Sequence, residues 1–351
     1  DGVVVDGRGY GISATGGAPA VRVAADDVVV ENVGELDGRP AVELAGANRC
    51  LVRGNGIGDL EDGIVLEDAD ENRIVGNDID GPDFDCIVLR NANRNEVSGN
   101  SIDGEYGVRV VDSDDNRLVQ NRFVETEQGI VLARSTGTTV RDNSVEAPLD
   151  VGIRVDESPE TALVGNSVTG GPAAIGAERA GIAVSASPET VVRDSLARDH
   201  EGAGIRVADS DGARVVANWA RLNGVGIELE AATDCELLRN VACGNERAQR
   251  RVDADSTGTV SRGNTDDCGQ GRILEVVPDG SDARYRVEVS GEITPASVRG
   301  REPNPDDDID GDSVTGRVFD GDAGDAFRVV GDVESLTVRD GDCRFFLDGA
   351  V

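Results

Sequence analysis

The chain has 351 residues, 29% of them charged, and a formal net charge of −34 at pH 7, with arginine as its only strongly basic residue. A surface this acidic repels nucleic acid and anionic lipid, so neither is expected as a main partner. No apolar stretch approaches the roughly 20 residues that a membrane-spanning helix needs, so no membrane span is expected.

Two segments near the start, VVVDGRGY (3–10) and VVVENVG (28–34), have the β-branched composition of short strands. The first begins almost at residue 1, although a stack of repeats needs a cap over its first unit. We therefore expect either that an exported precursor was processed or that another chain covers this end. The second alternative would allow self-assembly through an uncapped first repeat.

An asparagine recurs every 21 to 24 residues along most of the chain and closes apolar phrases such as IVGN (74–77) and LVQN (118–121). One step is longer, and Ser195 in VVRDS (191–195) fills it. A fixed period near 22 residues indicates one structural unit repeated as a solenoid. The recurring residues are Asn55, Asn77, Asn100, Asn121, Asn143, Asn166, Asn218, Asn240 and Asn264.

A second phrase repeats in step with the first, as in GIVLED (63–68) and GIVLARS (129–135). In GIVLED, alternation points Ile64 and Leu66 to one side and Val65 to the other. Short alternating strands without a helical period predict an all-β fold, a parallel β-helix of about a dozen coils, where a coil is one turn of the solenoid. Coils stacked about 4.8 Å apart would bury their inward residues in one core.

The asparagine column predicts a structural ladder. Asparagine tolerates left-handed backbone angles, so we expect each one to occupy the bend itself. Stacked asparagine side chains can also hydrogen-bond from coil to coil. The predicted ladder contains Asn77, Asn100, Asn121, Asn143, Asn166, Asn218 and Asn240.

The outward position of the second phrase carries a candidate binding row, Arg109, Arg154 and Arg206, on alternate coils. These side chains would lie about 10 Å apart. A basic row of this kind suits the carboxylate or sulfate groups of a polysaccharide. The alternative is that each arginine neutralises neighbouring acids such as Glu67 or Asp156.

The coil after Asn166 contains an insertion, TGGPAAIGAERAG (169–181), and insertions in solenoids often mark the working face. The single histidine, His200, lies in the following coil between Asp199 and Glu201. An imidazole between carboxylates could act as a general acid or base, so these three residues form a candidate catalytic group. The alternative is an inert histidine in a surface turn.

The cysteines predict one disulfide. Cys243 follows Asn240 by three residues and Cys268 follows Asn264 by four, so adjacent coils would place the two thiols side by side. One disulfide agrees with an exported protein.

The asparagine period stops near residue 272, which predicts a β-helix over 1–272 and a C-terminal β domain over 273–351. In the second region RYRVEVSGEI (284–293) resembles AFRVVGDVESL (326–336), with Tyr285 matching Phe327. Both segments alternate as strands do. They predict a small antiparallel domain with an internal duplication, either a sandwich or a sheet packed on the last coil.

The halves of this domain are joined by PNPDDDIDGDS (303–313). Its alternating acids and glycine follow the D-x-D-x-D-G spacing of calcium loops, although position twelve is Arg317 where a complete loop has glutamate. Calcium is therefore the one cofactor predicted, and a solvated acidic linker is the alternative. The candidate ligands are Asp306, Asp308, Asp310 and Asp312.

The phrases N-x-[IV]-x-x-N and G-[IV]-x-[VL] over residues 1–270 resemble those of the right-handed parallel β-helix, or pectin-lyase-like, superfamily, and most closely its NosD-like, carbohydrate-binding and sugar-hydrolase repeats. The resemblance implies the fold strongly and the function weakly, because members include pectate lyases, polygalacturonases, alginate epimerases, phage tailspikes and noncatalytic surface proteins. The acid-rich, lysine-free composition resembles that of haloarchaeal proteins, which implies a high-salt environment. An acidic protein from a GC-rich genome is the alternative.

The enzyme families of this superfamily have sequence motifs that are absent from this chain or occur at a different position in it. Its one N-T-D (264–266) lies in the last coil, no G-H-G or D-P-H-D occurs, and no match to the calcium cluster of pectate lyases stands out. These differences favour an exported or cell-surface, noncatalytic β-helix that binds polysaccharide or a surface protein. The alternatives are a lyase or glycoside hydrolase acting on an acidic polysaccharide, and a filament or virion component.

Overall fold

The computed structural model describes residues 2–58, 62–81, 85–171, 178–266, 272–296, 301–321, 323–330 and 333–347. The chain divides into two compact units, Asp1–Asp266 and Asp267–Val351. The boundary between them lies six residues before position 272, where the sequence placed it. The described residues form strands and turns, and among them no helix is long and apolar enough to cross a membrane. The predicted class, a parallel β-helix followed by a small antiparallel β domain, is confirmed.

The first sheet of the β-helix contains twelve parallel strands, each three residues long. The strands are β1 (Val4–Asp6), β4 (Val29–Glu31), β7 (Leu51–Arg53), β10 (Arg73–Val75), β13 (Glu96–Ser98), β16 (Arg117–Val119), β19 (Thr139–Arg141), β22 (Ala162–Val164), β25 (Val191–Arg193), β28 (Arg214–Val216), β31 (Glu236–Leu238) and β34 (Val260–Arg262).

The second sheet follows the ladder asparagines and contains eleven parallel strands. They are β2 (Ile12–Ser13), β5 (Leu36–Asp37), β8 (Gly56–Gly58), β11 (Asp78–Asp80), β14 (Ser101–Asp103), β17 (Arg122–Val124), β20 (Ser144–Glu146), β23 (Ser167–Thr169), β26 (Leu196–Arg198), β29 (Trp219–Arg221) and β32 (Val241–Cys243).

The third sheet has the longest strands, up to six residues, and is also parallel with eleven strands. They are β3 (Val21–Val23), β6 (Val42–Ala45), β9 (Ile64–Glu67), β12 (Asp85–Arg90), β15 (Tyr106–Val111), β18 (Gln128–Ala133), β21 (Val151–Asp156), β24 (Ile182–Ser185), β27 (Ala203–Ala208), β30 (Val225–Glu230) and β33 (Ala248–Val252).

One apolar core runs through the stacked coils as far as Ala242. Ile64 pairs in register with Ile87 and Leu66 with Leu89, and all four side chains are fully buried. Burying each such side chain contributes about 1.5–3 kcal/mol, but only after the next coil covers it. The strict register of the inward column therefore explains why the apolar period is so regular.

The asparagines form a continuous buried ladder between the first and second sheets. The Asn121 amide donates from Nδ2 to Val97 O (2.9 Å) and to Asn143 Oδ1 (3.0 Å), while its own Oδ1 accepts from Asn100 Nδ2 (2.9 Å). The same pattern recurs along the column from Asn55 to Asn264. Each amide therefore joins its coil to both neighbouring coils.

Ser195 occupies the ladder where the asparagine period is interrupted. Its Oγ accepts from the backbone N–H of Asn166 (3.2 Å), and its own backbone N–H donates to Asn218 Oδ1 (3.0 Å). A serine hydroxyl can replace one of the amide's acceptor roles, because both groups present an oxygen at the same place. The longer step therefore leaves the ladder continuous.

The left-handed residue at this bend precedes the asparagine, and our expectation that the asparagine itself adopts positive φ is wrong. Gly76, Gln120 and Asp142, each one residue before a ladder asparagine, have φ values of 61°, 54° and 52°. Glycine adopts such angles without a steric penalty, which explains the frequent G-N pair. The asparagine is placed by its buried hydrogen bonds.

The C-terminal unit is a sandwich of two four-stranded antiparallel sheets whose apolar faces share one core. The fourth sheet has the order β37 (Glu292–Pro295), β40 (Asp325–Val330), β35 (Arg272–Pro278), β42 (Cys343–Leu347). The fifth sheet has the order β38 (Asp308–Asp310), β39 (Ser313–Val318), β36 (Ala283–Val289), β41 (Val333–Asp340).

The internal duplication accounts for the centre of this sandwich. Tyr285 on β36 and Phe327 on β40 are both fully buried, and their rings meet edge to face with centroids 6.3 Å apart. The Tyr285 hydroxyl donates to Asp325 Oδ2 at 2.6 Å, so the buried phenol is satisfied. The two matched aromatic residues therefore face each other across the core.

Candidate ligand-binding face of the third sheet

The outward column of the third sheet brings Arg109, Arg154 and Arg206 into one row. They lie on β15, β21 and β27, with Val131 and Ala183 between them in register. Strands in neighbouring coils are about 4.8 Å apart, so successive arginines are about 10 Å apart along the stack. The arginine spacing of about 10 Å expected from the sequence therefore follows from two steps between neighbouring strands.

Arg154 lies at the centre of a group of carboxylates. Its guanidinium is 2.9 Å from Glu178 Oε2, 3.3 Å from Asp150 Oδ2 and 3.8 Å from Asp156 Oδ2. The Arg154 side chain is 22% exposed, so these contacts are only partly screened by water. Arg154 is therefore held in place by acids of its own coil and of the following insertion.

Glu178 joins Arg154 to the next arginine of the row. Its Oε1 accepts from Arg206 Nη1 at 3.0 Å, and Arg206 Nη2 also donates to Glu230 Oε2 at 2.5 Å. Ala183, the residue between the two arginines, is too small to separate them. We call the six residues Asp150, Arg154, Asp156, Glu178, Arg206 and Glu230 the Arg154 cluster.

The Arg154 cluster contains two arginines and four carboxylates, so it is a network of ion pairs and not a free basic row. Arg109 is paired in the same way, 3.1 Å from the buried Asp85, and stacks 4.8 Å from the centre of the Tyr106 ring. Burial raises the pKa of Asp85, and the Arg109 charge opposes that shift. These contacts agree with the alternative given above, in which each arginine of the row neutralises neighbouring acids.

A cleft of about 310 Å³ opens beside the cluster, at the ends of β18, β21 and β24. Asp156 lies in its wall, and its partners in register are the small residues Ala133 and Ser185, which leave the space open. Burial raises the pKa of Asp156, Arg154 lowers it, and the nearby Glu178 and Glu157 carboxylates raise it further. Clefts of this size with an acid of perturbed pKa are common features of binding sites.

His200 is buried and has a structural position. It is 5% exposed, its Nε2 lies 3.3 Å from Val168 O, and its backbone N–H donates to Asn223 Oδ1. Because the facing group is a carbonyl, Nε2 must carry the proton. Asn223 bonds in turn to Asn245, so His200 continues a second ladder between the second and third sheets.

The neighbouring acids do not face the imidazole in the contacts observed. Asp199 has a left-handed backbone and lies 3.8 Å from Arg198 Nε, while Glu201 pairs with Arg179 at the surface. The three candidate catalytic residues are therefore split between the core and the surface, and we propose no catalysis by them.

The burial of His200 predicts a pH effect on stability. Burial lowers the pKa of His200 from 6.5 to about 4, so the folded chain binds this proton less readily than the unfolded chain. Stability from this residue is complete above pH 6.5 and falls as the pH drops to 4, by about 3 kcal/mol in all.

The matched variant is His200→Asn, which fits the ladder rung as Asn223 does. We expect urea titrations to show that the difference in unfolding free energy between the two proteins shifts in favour of the variant by about 3 kcal/mol between pH 7 and 4. A constant difference over that range would contradict the burial of His200.

Cys243 is buried and disulfide-bonded, whereas Cys50, Cys86, Cys235 and Cys343 are free thiols. Cys268, the partner that the spacing predicts, lies outside the described residues.

The acidic segment of the C-terminal unit is partly a strand. Asp308 and Asp310 belong to β38 and lie opposite Thr315 and Ser313 of β39, while Asp306 and Asp312 lie in the flanking turns. Within the described ranges, no three histidine, cysteine or acidic side chains lie close enough together to hold a metal ion. Calcium binding by this segment stays a prediction.

Comparison with known proteins identifies the superfamily of the repeats. Residues 1–171 match the family model described as NosD, periplasmic copper-binding protein. Together with the observed fold, this match to just under half of the chain supports the pectin-lyase-like parallel β-helix superfamily. The coils within residues 1–171 are similar to NosD repeats, as their asparagine and glycine phrases predicted. No protein with a curated description matches the chain.

Solved structures share the fold of this NosD-like chain at low identity. The Dettilon tailspike protein is 14% identical with a TM-score of 0.59, covering 94% of this chain and 86% of its own. The DFA-IIIase of Arthrobacter chlorophenolicus A6, solved with GF2, is 13% identical with a TM-score of 0.52 and coverages of 73% and 72%. The tailspike of E. coli bacteriophage HK620, solved with a hexasaccharide, is 11% identical with a TM-score of 0.50 and coverages of 92% and 74%.

The residues present do not fit the copper of the family description. Copper prefers thiolate, thioether and imidazole ligands, but this chain has no methionine and its one histidine is buried. Burial also raises the pKa of Cys50, Cys86 and Cys235, which disfavours the thiolate form that binds metal. We therefore assign no step to copper.

Proposed function

We propose that this protein is a carbohydrate-binding β-helix that holds a polysaccharide along the outer face of the third sheet, at the Arg154 cluster and the adjoining cleft. The observation that carries the proposal is the bridging of Arg154 and Arg206 by Glu178, which fixes donors and acceptors in a row beside open space. Two β-helices of similar fold were solved with a hexasaccharide and with GF2, which supports a saccharide as the ligand.

The charges of the cluster favour a hydroxyl-rich, neutral polysaccharide over the acidic one expected from the sequence. Its four carboxylates outnumber its two arginines, so an anionic chain would be repelled. Carboxylates accept hydrogen bonds from sugar hydroxyls, and the guanidinium groups donate to them. Fixed pairs of both kinds along a flat sheet match the repeating hydroxyls of a sugar chain.

Substitution of Arg154 tests this site. We expect Arg154→Ala to weaken polysaccharide binding at least about tenfold, because the change removes a donor to the sugar and the positive charge between Asp150 and Glu178, although Glu178 keeps its bond to Arg206. Isothermal titration of the full chain with soluble neutral glucans, mannans and galactans, in molar salt, measures the affinity.

The matched control is Arg214→Ala, which removes an arginine that pairs with Glu236 at 2.7 Å on the first sheet. If both variants lose affinity to the same extent, or if Arg154→Ala keeps the native affinity, the polysaccharide does not bind on the outer face of the third sheet. Binding of acidic polysaccharides only would contradict the choice of a neutral ligand.

The cleft supports a second candidate function, hydrolysis of the bound polysaccharide. A carboxyl with a raised pKa close to other carboxylates is the arrangement that general-acid cleavage of a glycosidic bond uses. New reducing ends in the same incubations, lost in Asp156→Asn, would favour this candidate over binding alone.

The composition supports a protein that works at a cell surface or outside the cell in high salt. The net charge of −34 keeps the chain soluble where salt screens repulsion, and the family description of the NosD model is periplasmic. The haloarchaeal environment expected from the composition is part of this proposal.

A further inference from the structure

The C-terminal sandwich has a groove that the third-sheet site does not use. Two clefts, of about 580 Å³ and 330 Å³, open on this unit, and both are lined by Asn304 and Asp307. Their volumes fall within or near the range of ordinary ligand sites. Because they share two wall residues, they form adjoining parts of one surface groove, which we call the Asn304 groove.

The walls of the Asn304 groove differ on its two sides. The larger cleft is lined by Pro295, Pro303, Pro305 and Ile309, which give it a mainly apolar surface. The smaller cleft is lined by Thr315, Arg317 and Phe319. An apolar cleft that adjoins hydroxyl and guanidinium groups suits a ligand with both apolar and polar surface.

Phe319 offers a flat surface in the smaller cleft. Its side chain is 38% exposed, and the Arg317 guanidinium carbon lies 4.7 Å from its ring centre. Arg317 is held in turn by Asp282 at 3.1 Å. The cation–π contact holds the ring in place with the guanidinium over one face, and the exposed remainder of the ring is an apolar platform beside that donor.

The floor of the groove is held by a network of hydrogen bonds. Asp307 accepts from the backbone N–H groups of Asn304 (3.0 Å) and Arg317 (3.1 Å). Asn304 Nδ2 donates to Arg317 O at 2.7 Å and to Asp325 Oδ1 at 3.3 Å. A floor fixed in this way loses little conformational entropy when a ligand binds, which favours affinity.

Gly316 is part of this floor because a side chain would not fit there. A Cβ at this position would lie 2.4 Å from the Tyr285 hydroxyl and 2.7 Å from Asp307 Oδ1. The glycine therefore lets the strand approach the buried Tyr285 and Asp307 closely, and it keeps the cleft open.

We propose that the Asn304 groove is a second glycan-binding site, which takes sugar residues of a neutral polysaccharide against Phe319 and the proline wall. The apolar face of a sugar ring packs on Phe319, and its hydroxyls bond to Thr315, Arg317 and Asn304. The site belongs to a different unit from the Arg154 cluster and shares no residue with it.

Hydrogen–deuterium exchange of the full chain in molar salt, with and without neutral hexasaccharides of glucose, mannose or galactose, tests the proposal. We expect slower exchange over 303–319 with at least one of these sugars. Unchanged exchange over 303–319 with all three would overturn the second site. Protection over 303–319 without protection over 150–206 would support the second site and contradict the proposed role of the third sheet.

A pair of variants separates ligand contact from general loss of structure. Phe319→Ala is expected to abolish the protection over 303–319 and to weaken titrated binding at that site about tenfold. Leu336→Ala removes another exposed apolar side chain of the same unit, on β41, the edge strand of the fifth sheet farthest from β38. This variant should leave both the exchange protection over 303–319 and the titrated affinity unchanged. Protection that survives in Phe319→Ala would overturn the proposed platform.

Discussion

Replacing Asn121 with alanine is expected to destabilise the β-helix by about 3–5 kcal/mol, because several buried polar groups lose their partners at once and each costs about 1–3 kcal/mol. The affected groups are the carbonyl of Val97 and the backbone and side-chain N–H groups of Asn100, all of which bond to the Asn121 amide. Urea unfolding in molar salt, followed by circular dichroism, measures the loss.

Asn121→Ser is the matched control, since Ser195 already occupies this ladder in the native chain. The hydroxyl oxygen can still accept from the Asn100 backbone, so we expect the serine variant to retain roughly half of the stability that alanine loses. Equal losses in the two variants, or a loss below about 1 kcal/mol in Asn121→Ala, would show that the ladder contributes little beyond packing.

Salt is expected to stabilise the folded chain strongly. Between 0.1 M and 1 M salt the screening length falls from about 10 Å to about 3 Å, so repulsion among the 68 acidic residues is largely removed. We expect the thermal midpoint to rise by roughly 7–10 °C over this range, which corresponds to about 5 kcal/mol for a chain of this length. Scanning calorimetry in potassium chloride measures the shift.

Asp103→Asn identifies repulsion as the cause of the salt effect. Asp103 lies in register with Asp80 on the outer face of the second sheet, and burial together with the Asp80 and Glu125 charges raises the pKa of Asp103. The variant should be more stable than the native chain at low salt and equal to it at 1 M. A midpoint that is independent of salt in the native chain would contradict the proposed high-salt environment.

The sequence was sufficient to predict the ladder and the coil, because both depend on residues that recur at a fixed step. The asparagine spacing predicted which side chains meet. The resemblance between 284–293 and 326–336 predicted that Tyr285 and Phe327 are equivalent, and their rings meet in the core. The backbone angles at the bend were not predictable from the asparagines alone, because the left-handed position accepts glycine, glutamine or aspartate.

The Arg154 cluster could be predicted only in part. The strand period placed Arg154 and Arg206 on one face, but Glu178 comes from the insertion, where no period fixes the direction of a side chain. The charge on the outer face of the third sheet therefore depends on Glu178, which the repeat pattern could not place. A sequence can show that arginines share a column without showing which acids pair with them.

The buried position of His200 follows from its place in the repeat and not from the acids beside it in the sequence. The step from His200 to Asn223 is 23 residues and the step from Asn223 to Asn245 is 22, which is the coil period. This period was the signal that could have placed His200 in a second ladder. A histidine at an asparagine rung is buried for the same reason as the asparagine. The local R-D-H-E-G phrase carried no such information.

The most direct test of the account is a crystal structure of the full chain with a neutral hexasaccharide that the titrations show to bind. We expect sugar residues to lie across the third sheet, with hydroxyls bonded to Arg154, Glu178 or Asp156, and the sugar chain to continue into the adjoining cleft. A sugar bound only to the first or second sheet, with the Arg154 cluster untouched, would contradict it.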